Sequence, residues 1–296
     1  MSAVDSKSTM LGLALRLGSM IAIAIMFAFV KLAAEEGVHV VESLFWRQLA
    51  GLPVVIAWLW WMGNLSELKV QRPGGHALRM ILGIGGMGLN YLAMTMLPMA
   101  EASTIGFAVP IFATVLAALL LGEPTGKYRW GAIALGFTGV LLAIQPGGSS
   151  INPAGAIVAI AGAVMTAGVT IQIRRMALTE PTGAIVFWFS LSSMLPLGIG
   201  MLFFAGNHGS LAMAYIAGLS LAGAIAQILL TSALRHAPVA AALTMDYSAL
   251  IWSVLLGIFI FGDIPGLSVF LGAPVIIAAG LIILWREHYL AQLAKA

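Results

Sequence analysis

Pro98-Met99-Ala100-Glu101-Ala102-Ser103-Thr104 opens a stretch that continues through an apolar run to Leu121-Gly122-Glu123-Pro124 and ends in a second apolar run at Ala143. The same succession of breakers and polar residues returns about 140 residues later. Agreement at such positions is more informative than agreement among apolar residues, and a repeated hydropathy pattern is typical of internal structural repeats. We therefore predict that the chain is a tandem duplication of one hydrophobic unit.

The correspondence between the two halves extends over most of the chain. At a shift of 140, the matched positions are Pro98 and Pro238, Thr104 and Thr244, Phe107 and Tyr247, Gly122 and Gly262, and Glu123 and Asp263. One further residue of shift aligns Gly131 with Gly272 and Gly139 with Gly280, while Phe45-Trp46 matches Phe187-Trp188 at 142 and Lys31 matches Arg174 at 143. The predicted domains are residues 1–147 and 148–296.

The composition is that of a polytopic membrane protein. Of the 296 residues, 61% are hydrophobic and only 8% are charged, against about 25% charged in soluble proteins. The net charge is +3, but Lys and Arg are scattered singly between apolar runs, so nucleic acid is not an expected partner. Without cysteine, neither disulfides nor a thiolate metal site is expected. We expect no cofactor and no metal.

Turn residues divide the apolar sequence into ten segments, each close to the roughly 20 residues that a spanning helix needs. These predicted spans are Leu11 to Leu32, Val40 to Met62, Ala77 to Leu97, Ala102 to Leu121, Tyr128 to Ile144, Ala154 to Ile173, Gly183 to Ala205, Leu211 to Leu234, Val239 to Phe261, and Gly266 to Leu284. The predicted fold is all-α, with ten transmembrane helices.

The basic residues set the expected orientation, because Lys and Arg accumulate in cytoplasmic loops. With both termini in the cytoplasm, every Lys and Arg except Lys31 and Arg47 lies on or near the cytoplasmic side. Five spans that start inside end outside, so the second unit must enter the membrane inverted. Two inverted five-helix repeats are the architecture of many secondary transporters, which expose a midplane site alternately to either side. We expect a multi-pass protein of the cytoplasmic (inner) membrane.

The sequence resembles the drug/metabolite transporter superfamily, specifically proteins with two EamA domains. The resemblance rests on Phe45-Trp46-Arg47 after Lys31, on Leu121-Gly122-Glu123-Pro124 with the following Gly131 and Gly139, and on the echo Gly262-Asp263. It implies a ten-helix carrier with a central cavity lined mainly by spans 1, 3, 4, 6, 8 and 9. Members export amino acids or related metabolites, or import compounds such as S-adenosylmethionine or riboflavin. The second copy lacks the Gly-Glu-Pro sequence. Any role that the resemblance implies for this glutamate is therefore expected first at Glu123 and only second at Asp263.

Charged residues inside the spans are the first functional candidates, because each costs about 2.5–3.5 kcal/mol at the bilayer centre on insertion scales. Arg47 lies about two turns into the second span and either neutralises a substrate carboxylate or forms an ion pair with Glu42. Asp246 lies about two turns into the ninth span and either carries a coupling proton or substrate cation, or bonds to backbone or Arg235. Glu101 is the second candidate for ion coupling.

Uncharged residues complete the candidate site. Amides within a bundle either join helices or face the transport path, and aromatic residues within it either pack or stack on a flat substrate. The candidates for substrate binding are Arg47, Asn90, Tyr91, Phe107, Gln172, Gln227, Asp246 and Tyr247. Pro110 is the hinge candidate, because a proline inside a helix removes a hydrogen bond and favours a kink.

The leading hypothesis is a secondary transporter of a small organic metabolite, an amino acid or a derivative such as S-adenosylmethionine, that works by alternating access. Its energy would come from a proton gradient acting through Asp246 or Glu101, from substrate exchange, or from the substrate's own gradient. The alternative is a broad-specificity drug or toxic-compound exporter with a methionine-rich lining. A membrane enzyme or scaffold ranks lower, and we predict that the chain is not an enzyme. The expected partners are the substrate and membrane lipid, and small-residue helix faces would permit a homodimer.

Overall fold

A computed structural model describes residues 6–61, 68, 70–122, 127–144, 152–236 and 245–293. Within these residues all regular structure is helical, as predicted. The helices are α1 (Ser6–Glu35), α2 (Val40–Trp61), α3 (Pro73–Met96), α4 (Met99–Gly106), α5 (Val109–Leu121), α6 (Lys127–Ile144), α7 (Pro153–Met176), α8 (Thr182–Phe204), α9 (Ser210–His236), α10 (Ala249–Leu256) and α11 (Leu267–Leu293). Seven described segments are long and apolar enough to cross a membrane, and three shorter apolar ones, Trp130–Ile144, Met245–Phe261 and Leu267–Ile283, complete ten.

The fourth predicted span is not one helix but two, and Pro110 explains the break. Helix α4 ends at Gly106 and α5 begins at Val109, with Pro110 in its first turn. Proline has no N–H to donate to the carbonyl four residues earlier, and its ring clashes with that carbonyl. The carbonyl four residues before Pro110 belongs to Gly106, the last residue of α4.

The ninth predicted span is also irregular. Its described part starts with a 3₁₀ turn at Met245–Ser248, continues as α10 and ends in a π-helical turn at Gly257–Phe261. Subtracting 140 from residues 245–248 gives 105–108, which include the break between α4 and α5. The residue matching Pro110 is Leu250, so proline does not cause this second irregularity, and discontinuous helices at matching positions are a feature of transporters built from repeats.

Matching glycines end these two spans. Gly122 closes α5 with φ +64° and Gly262 closes the π turn with φ +68°. Residues with a Cβ rarely adopt this left-handed conformation, whereas glycine adopts it freely. The predicted correspondence between positions 122 and 262 is therefore reflected in equal backbone conformations. Glu123, which follows Gly122, lies outside the described residues.

Helix pairing follows the order of the two halves. Helix α1 packs along α9, and α3 packs along α7. In the predicted duplication, α1 of the first half matches α7 of the second half, and α3 matches α9. The contact between α1 and α9 therefore matches the contact between α7 and α3. Helices α2 and α8, and likewise α6 and α11, occupy matching places in the two halves and contact each other. This pairing is what two-fold related halves predict; the proposed boundary near residue 147 lies outside the described residues and stays a prediction.

Candidate substrate site

Arg47 lies within the bundle, about 10 Å along α2 from its first residue. Its side chain is half-buried. The Nε atom lies 3.4 Å from the sulfur of Met26, and Nη1 lies 3.7 Å from the sulfur of Met87 and donates to Oε1 of Gln48 at 3.2 Å. Among the described residues, no carboxylate lies within 4 Å of this guanidinium. Arg47 thus has weak thioether acceptors and one amide around it, and retains capacity to bind an anion.

Two neighbours define the space around Arg47. Gly223 of α9 faces the guanidinium, and a Cβ there would lie 3.3 Å from Arg47 Nε and from Met26 Sδ. Tyr91 of α3 is buried and donates its hydroxyl to the sulfur of Met26 at 3.5 Å. The structure therefore brings Tyr91 next to the residues that surround Arg47, with Met26 between them.

The alternative partner of Arg47 is engaged elsewhere. Glu42, in the first turn of α2, places Oε2 2.8 Å from Nε2 of His208 and accepts from the backbone N–H of Gly206 at 3.4 Å. The Arg47–Glu42 ion pair considered from the sequence is therefore absent from this structure. The carboxylate of Glu42 instead fixes the connection between α8 and α9.

Asp246 forms an ion pair with Arg16, a residue that sequence analysis treated only as part of the cytoplasmic charge. Its two carboxylate oxygens accept from Nε and Nη2 of Arg16, each at 2.6 Å. The expected partners, backbone or Arg235, are not needed to account for Asp246; the side chain of Arg235 lies outside the described structure. Arg16 had a usable signal, since a cation within an apolar helix requires a partner.

A second ion pair joins the same two segments further along. Lys31 Nζ lies 2.7 Å from Oδ2 of Asp263 and 4.4 Å from the centre of the Phe261 ring. Arg16 and Lys31 are 15 residues apart, about 22 Å along α1. The first helix is therefore attached to the ninth span at two points, one about a third of the way along α1 and one about a turn before its last residue.

Glu101 is buried in α4 without a strong partner. Its Oε1 accepts from the backbone N–H of Gly266 at 3.4 Å, and its Oε2 has no hydrogen-bond partner among the described residues. The two coupling candidates thus differ, because Asp246 is held by two charge-assisted hydrogen bonds and Glu101 has an oxygen to spare. An unpaired buried carboxylate is costly in a bundle interior.

Phe107 and Tyr247 meet where the fourth and ninth spans cross. Their ring centres are 5.4 Å apart in an edge-to-face arrangement. In the same two spans, Ser103 and Ser253 hydrogen-bond through their hydroxyls at 2.7 Å. The Tyr247 hydroxyl is buried without a partner among the described residues. Both candidate aromatics therefore lie at the contact between the halves.

The amide candidates are used mainly between helices. Asn90 donates to the Thr166 hydroxyl at 3.1 Å, and Gln172 donates to the Gly75 carbonyl at 3.0 Å, so both join α3 to α7. Gln227 is half-buried on α9. Their role in substrate binding stays a prediction, because these bonds already account for Asn90 and Gln172.

The described residues contain no group of three or more His, Asp or Glu side chains able to hold a metal ion. They do contain an apolar pocket of about 310 Å³ between α2 and α9, whose lining includes Trp46, Met213 and Ile216. Sequence analysis did not identify this pocket, nor the two methionines next to Arg47, because methionine at helical spacing has no signature distinct from core packing.

Comparison with known proteins gives a consistent result. Residues 10–145 match the EamA-like transporter family. The chain is 27% identical over 251 residues to the S-adenosylmethionine uptake transporter of Rickettsia prowazekii (strain Madrid E), covering 84% of both chains. It is 29% identical over 228 residues to the riboflavin transporter of Rhizobium johnstonii, covering 76% of this chain and 74% of the relative. A solved crystal structure shares the fold, with a TM-score of 0.61 and 19% identity over 94% of this chain and 97% of that one.

Proposed function

The chain belongs to the EamA-like transporter family, and we propose that it is a secondary transporter of a small organic metabolite that carries a carboxylate. The observation that carries this proposal is Arg47. Its guanidinium lies inside the bundle and has no carboxylate partner among the described residues. Arginine binds carboxylates through strong paired hydrogen bonds, so a substrate carboxylate would supply the missing anion.

The substrate class that we propose is an amino acid or a derivative, with S-adenosylmethionine as the first compound to test. A relative of this chain bears the name S-adenosylmethionine uptake transporter, and another bears the name riboflavin transporter. Of these two compounds, S-adenosylmethionine carries a carboxylate that Arg47 would neutralise. Riboflavin carries none and is therefore the natural comparison compound.

The two ion pairs of α1 suggest how access alternates. Arg16–Asp246 lies in the half of the bundle where α1 begins, about 15 Å from its first residue, and Lys31–Asp263 lies near the opposite end. With both termini in the cytoplasm, the first pair would close the inner side and the second the outer side. Opening one side requires only one pair to separate, while the other holds α1 against the ninth span.

We propose Glu101 as the site of proton coupling. Protonation would neutralise a buried carboxylate that has one unpartnered oxygen, so the neutral and charged forms would favour different packing of α4. Asp246 is less suited to exchange protons freely, because Arg16 stabilises its charged form through two hydrogen bonds.

Uptake into proteoliposomes tests the proposal. S-adenosylmethionine, riboflavin and a pool of amino acids would be offered with and without a pH gradient, and accumulated compounds measured by mass spectrometry. We expect S-adenosylmethionine or an amino acid to accumulate in wild-type vesicles, Arg47→Met to abolish this, and Arg72→Met to leave it unchanged. Arg72 is exposed next to the start of α3, so it controls for the loss of one positive charge. Equal accumulation by wild type and Arg47→Met would contradict the proposed role.

The pocket between α2 and α9 favours a second candidate function, export of apolar compounds. Its lining is apolar, with Trp46 and Met213 among the residues, and methionine adapts to ligands of varied shape. In that case Arg47→Met would leave transport intact. Removal of the Met213 or Trp46 side chain would reduce transport more than its enlargement would. Transport of an uncharged fluorescent dye by Met213→Ala and by Arg47→Met separates the two functions. Export of apolar compounds predicts slower dye transport by Met213→Ala and unchanged dye transport by Arg47→Met.

A further inference from the structure

Arg79 is a second intrabundle arginine with unused hydrogen-bond donors. It is half-buried, about 9 Å along α3 from its first residue. Its Nε and Nη1 atoms are buried without a hydrogen-bond partner among the described residues, and its guanidinium carbon lies 3.9 Å from the centre of the Phe189 ring. Buried charged donors without acceptors are costly, so a structural role alone does not explain an arginine here.

The surroundings of Arg79, where α3 packs against α8, match those of Arg47, where α2 packs against α9. Gly223, next to Arg47, corresponds to Gly83 at the shift of 140, and a Cβ at Gly83 would collide with both Arg79 Nη1 and the Phe189 ring. Phe189 in turn corresponds to Arg47 at the shift of 142. Each of these glycines therefore leaves space that a guanidinium occupies.

The ring pairs that precede these two positions support the match. Phe45 and Trp46 have centres 5.5 Å apart at an interplanar angle of 80°, and Phe187 and Trp188 have centres 5.5 Å apart at 83°. The second and seventh spans thus present Arg47 and Phe189 from equivalent backbone positions. Where α2 contacts α9 the guanidinium comes from α2, and where α8 contacts α3 it comes from α3 and stacks on Phe189 of α8.

The two arginines lie at similar depths from opposite ends of the bundle. Helix α2 follows α1 after a short connection and starts at the end where α1 finishes, while α3 starts at the end where α1 begins. Arg47 and Arg79 are each about two turns inside their helices. On the topology proposed above, Arg47 is nearer the outer side and Arg79 nearer the cytoplasmic side.

We propose that Arg79 is a second anion-binding position, which receives the substrate carboxylate on the cytoplasmic side as Arg47 does on the outer side. This inference rests on the proposed function and adds to it a residue for the inward-facing state. Arg79 binds through the N–H groups of Nε or Nη1, each of which can donate to a carboxylate oxygen. The Phe189 ring holds the guanidinium plane while the carboxylate arrives and leaves.

The other source of an anion at this depth is a lipid phosphate. Long basic side chains near helix ends commonly extend to the membrane interface. Arg79 instead stacks on Phe189 of α8, and two of its guanidinium nitrogens are buried between protein atoms. This geometry favours an anion that enters the bundle over one that stays in the headgroup layer.

Protection from phenylglyoxal, which modifies arginine guanidinium groups, tests the assignment directly. The purified full chain in nanodiscs of neutral lipid would be treated with the reagent alone, with S-adenosylmethionine, or with decarboxylated S-adenosylmethionine, and modified residues located by mass spectrometry. We expect S-adenosylmethionine to reduce modification of both Arg47 and Arg79 at least fivefold and the decarboxylated compound to protect neither. Modification of exposed Arg72 should be the same in all three samples.

Each outcome of this experiment is decisive. Protection of Arg47 without protection of Arg79, or no reaction at Arg79 without ligand, overturns the second position while the proposed function stands. Absence of protection at both overturns S-adenosylmethionine binding at both arginines. A fourth sample contains the chain in nanodiscs of phosphatidylglycerol without S-adenosylmethionine. Protection of Arg79 in that sample, and not by S-adenosylmethionine in neutral lipid, assigns Arg79 to lipid and overturns the proposal.

Sided transport provides the independent measurement. In inside-out vesicles, Arg79→Met should raise the half-saturating concentration of S-adenosylmethionine by about tenfold or more, the usual consequence of losing a hydrogen bond to a charged group. In right-side-out vesicles the larger increase should come from Arg47→Met. Since Arg79 has unpartnered donors, Arg79→Met should melt no lower than wild type; a lower melting temperature with unchanged half-saturation would identify a structural residue and overturn the proposal.

Discussion

Phe107 and Tyr247 contact each other edge to face with ring centres 5.4 Å apart, although 140 residues separate them in the chain. They also occupy matching positions in the two halves. When matching residues of two related units touch, an axis that relates the units passes close to the contact. The midplane site expected in a transporter built from inverted repeats lies on such an axis, so we propose that the substrate site lies close to the crossing of the fourth and ninth spans.

The packing of Tyr247 against Gly280 gives a first prediction. A Cβ at Gly280 would collide with the Tyr247 hydroxyl and would lie 3.0 Å from its Cζ. We expect Gly280→Ala to destabilise the protein by about 1–3 kcal/mol through overpacking, and Tyr247→Phe to restore part of this loss by removing the hydroxyl. Melting temperatures of the two single variants and the double variant in detergent measure the coupling, and strictly additive effects would contradict it.

The ion pair between Arg16 and Asp246 gives a second prediction. Its side chains are 9% and 33% exposed, so removal of one partner leaves the other charge poorly solvated. We expect Asp246→Asn and Arg16→Met each to cost about 1.5–3 kcal/mol, and the double variant to cost less than the sum of the two. A double-mutant cycle on thermal unfolding measures the interaction.

Lys31→Met and Asp263→Asn provide the matched cycle for the ion pair at the other end of α1. If the pairs close opposite sides, disruption of either one should shift the preferred state rather than abolish exchange. Loss of exchange in both cycles would mean that the pairs only hold the fold together.

The all-helical membrane fold and the ten apolar segments could be predicted from the sequence because they depend on hydropathy and on breakers. The partners of charged residues could not. Arg16 and Asp246 are 230 positions apart, and their pairing depends on how α1 packs against the ninth span. The sequence likewise predicts that Gln172 is a polar residue within a span, but its hydrogen bond to the Gly75 carbonyl depends on the packing of α3 on α7. From the sequence, Arg79 is only one of the basic residues on or near the cytoplasmic side, because its contact with Phe189 leaves no trace in composition.

Replacement of Glu101 gives a third prediction. Glutamine keeps the size and the acceptor for the Gly266 N–H but cannot bind or release a proton. We expect Glu101→Gln to exchange labelled for unlabelled substrate at the wild-type rate and to lose accumulation driven by a pH gradient. Asp246→Asn is the comparison variant, and loss of gradient-driven accumulation in that variant alone would transfer the coupling role to Asp246.

The break in the fourth span gives the last prediction. Pro110→Ala supplies an N–H that can donate to the Gly106 carbonyl, which would join α4 and α5 into one helix. If the break must bend during transport, one additional backbone hydrogen bond of about 1 kcal/mol would have to open in each cycle and would slow turnover about fivefold. Half-saturation should change little, and the melting temperature should rise. Pro196→Ala is the control, because Pro196 lies inside α8 without interrupting it. Equal turnover of wild type and Pro110→Ala would show that the discontinuity is a fixed feature of the site and that another element moves.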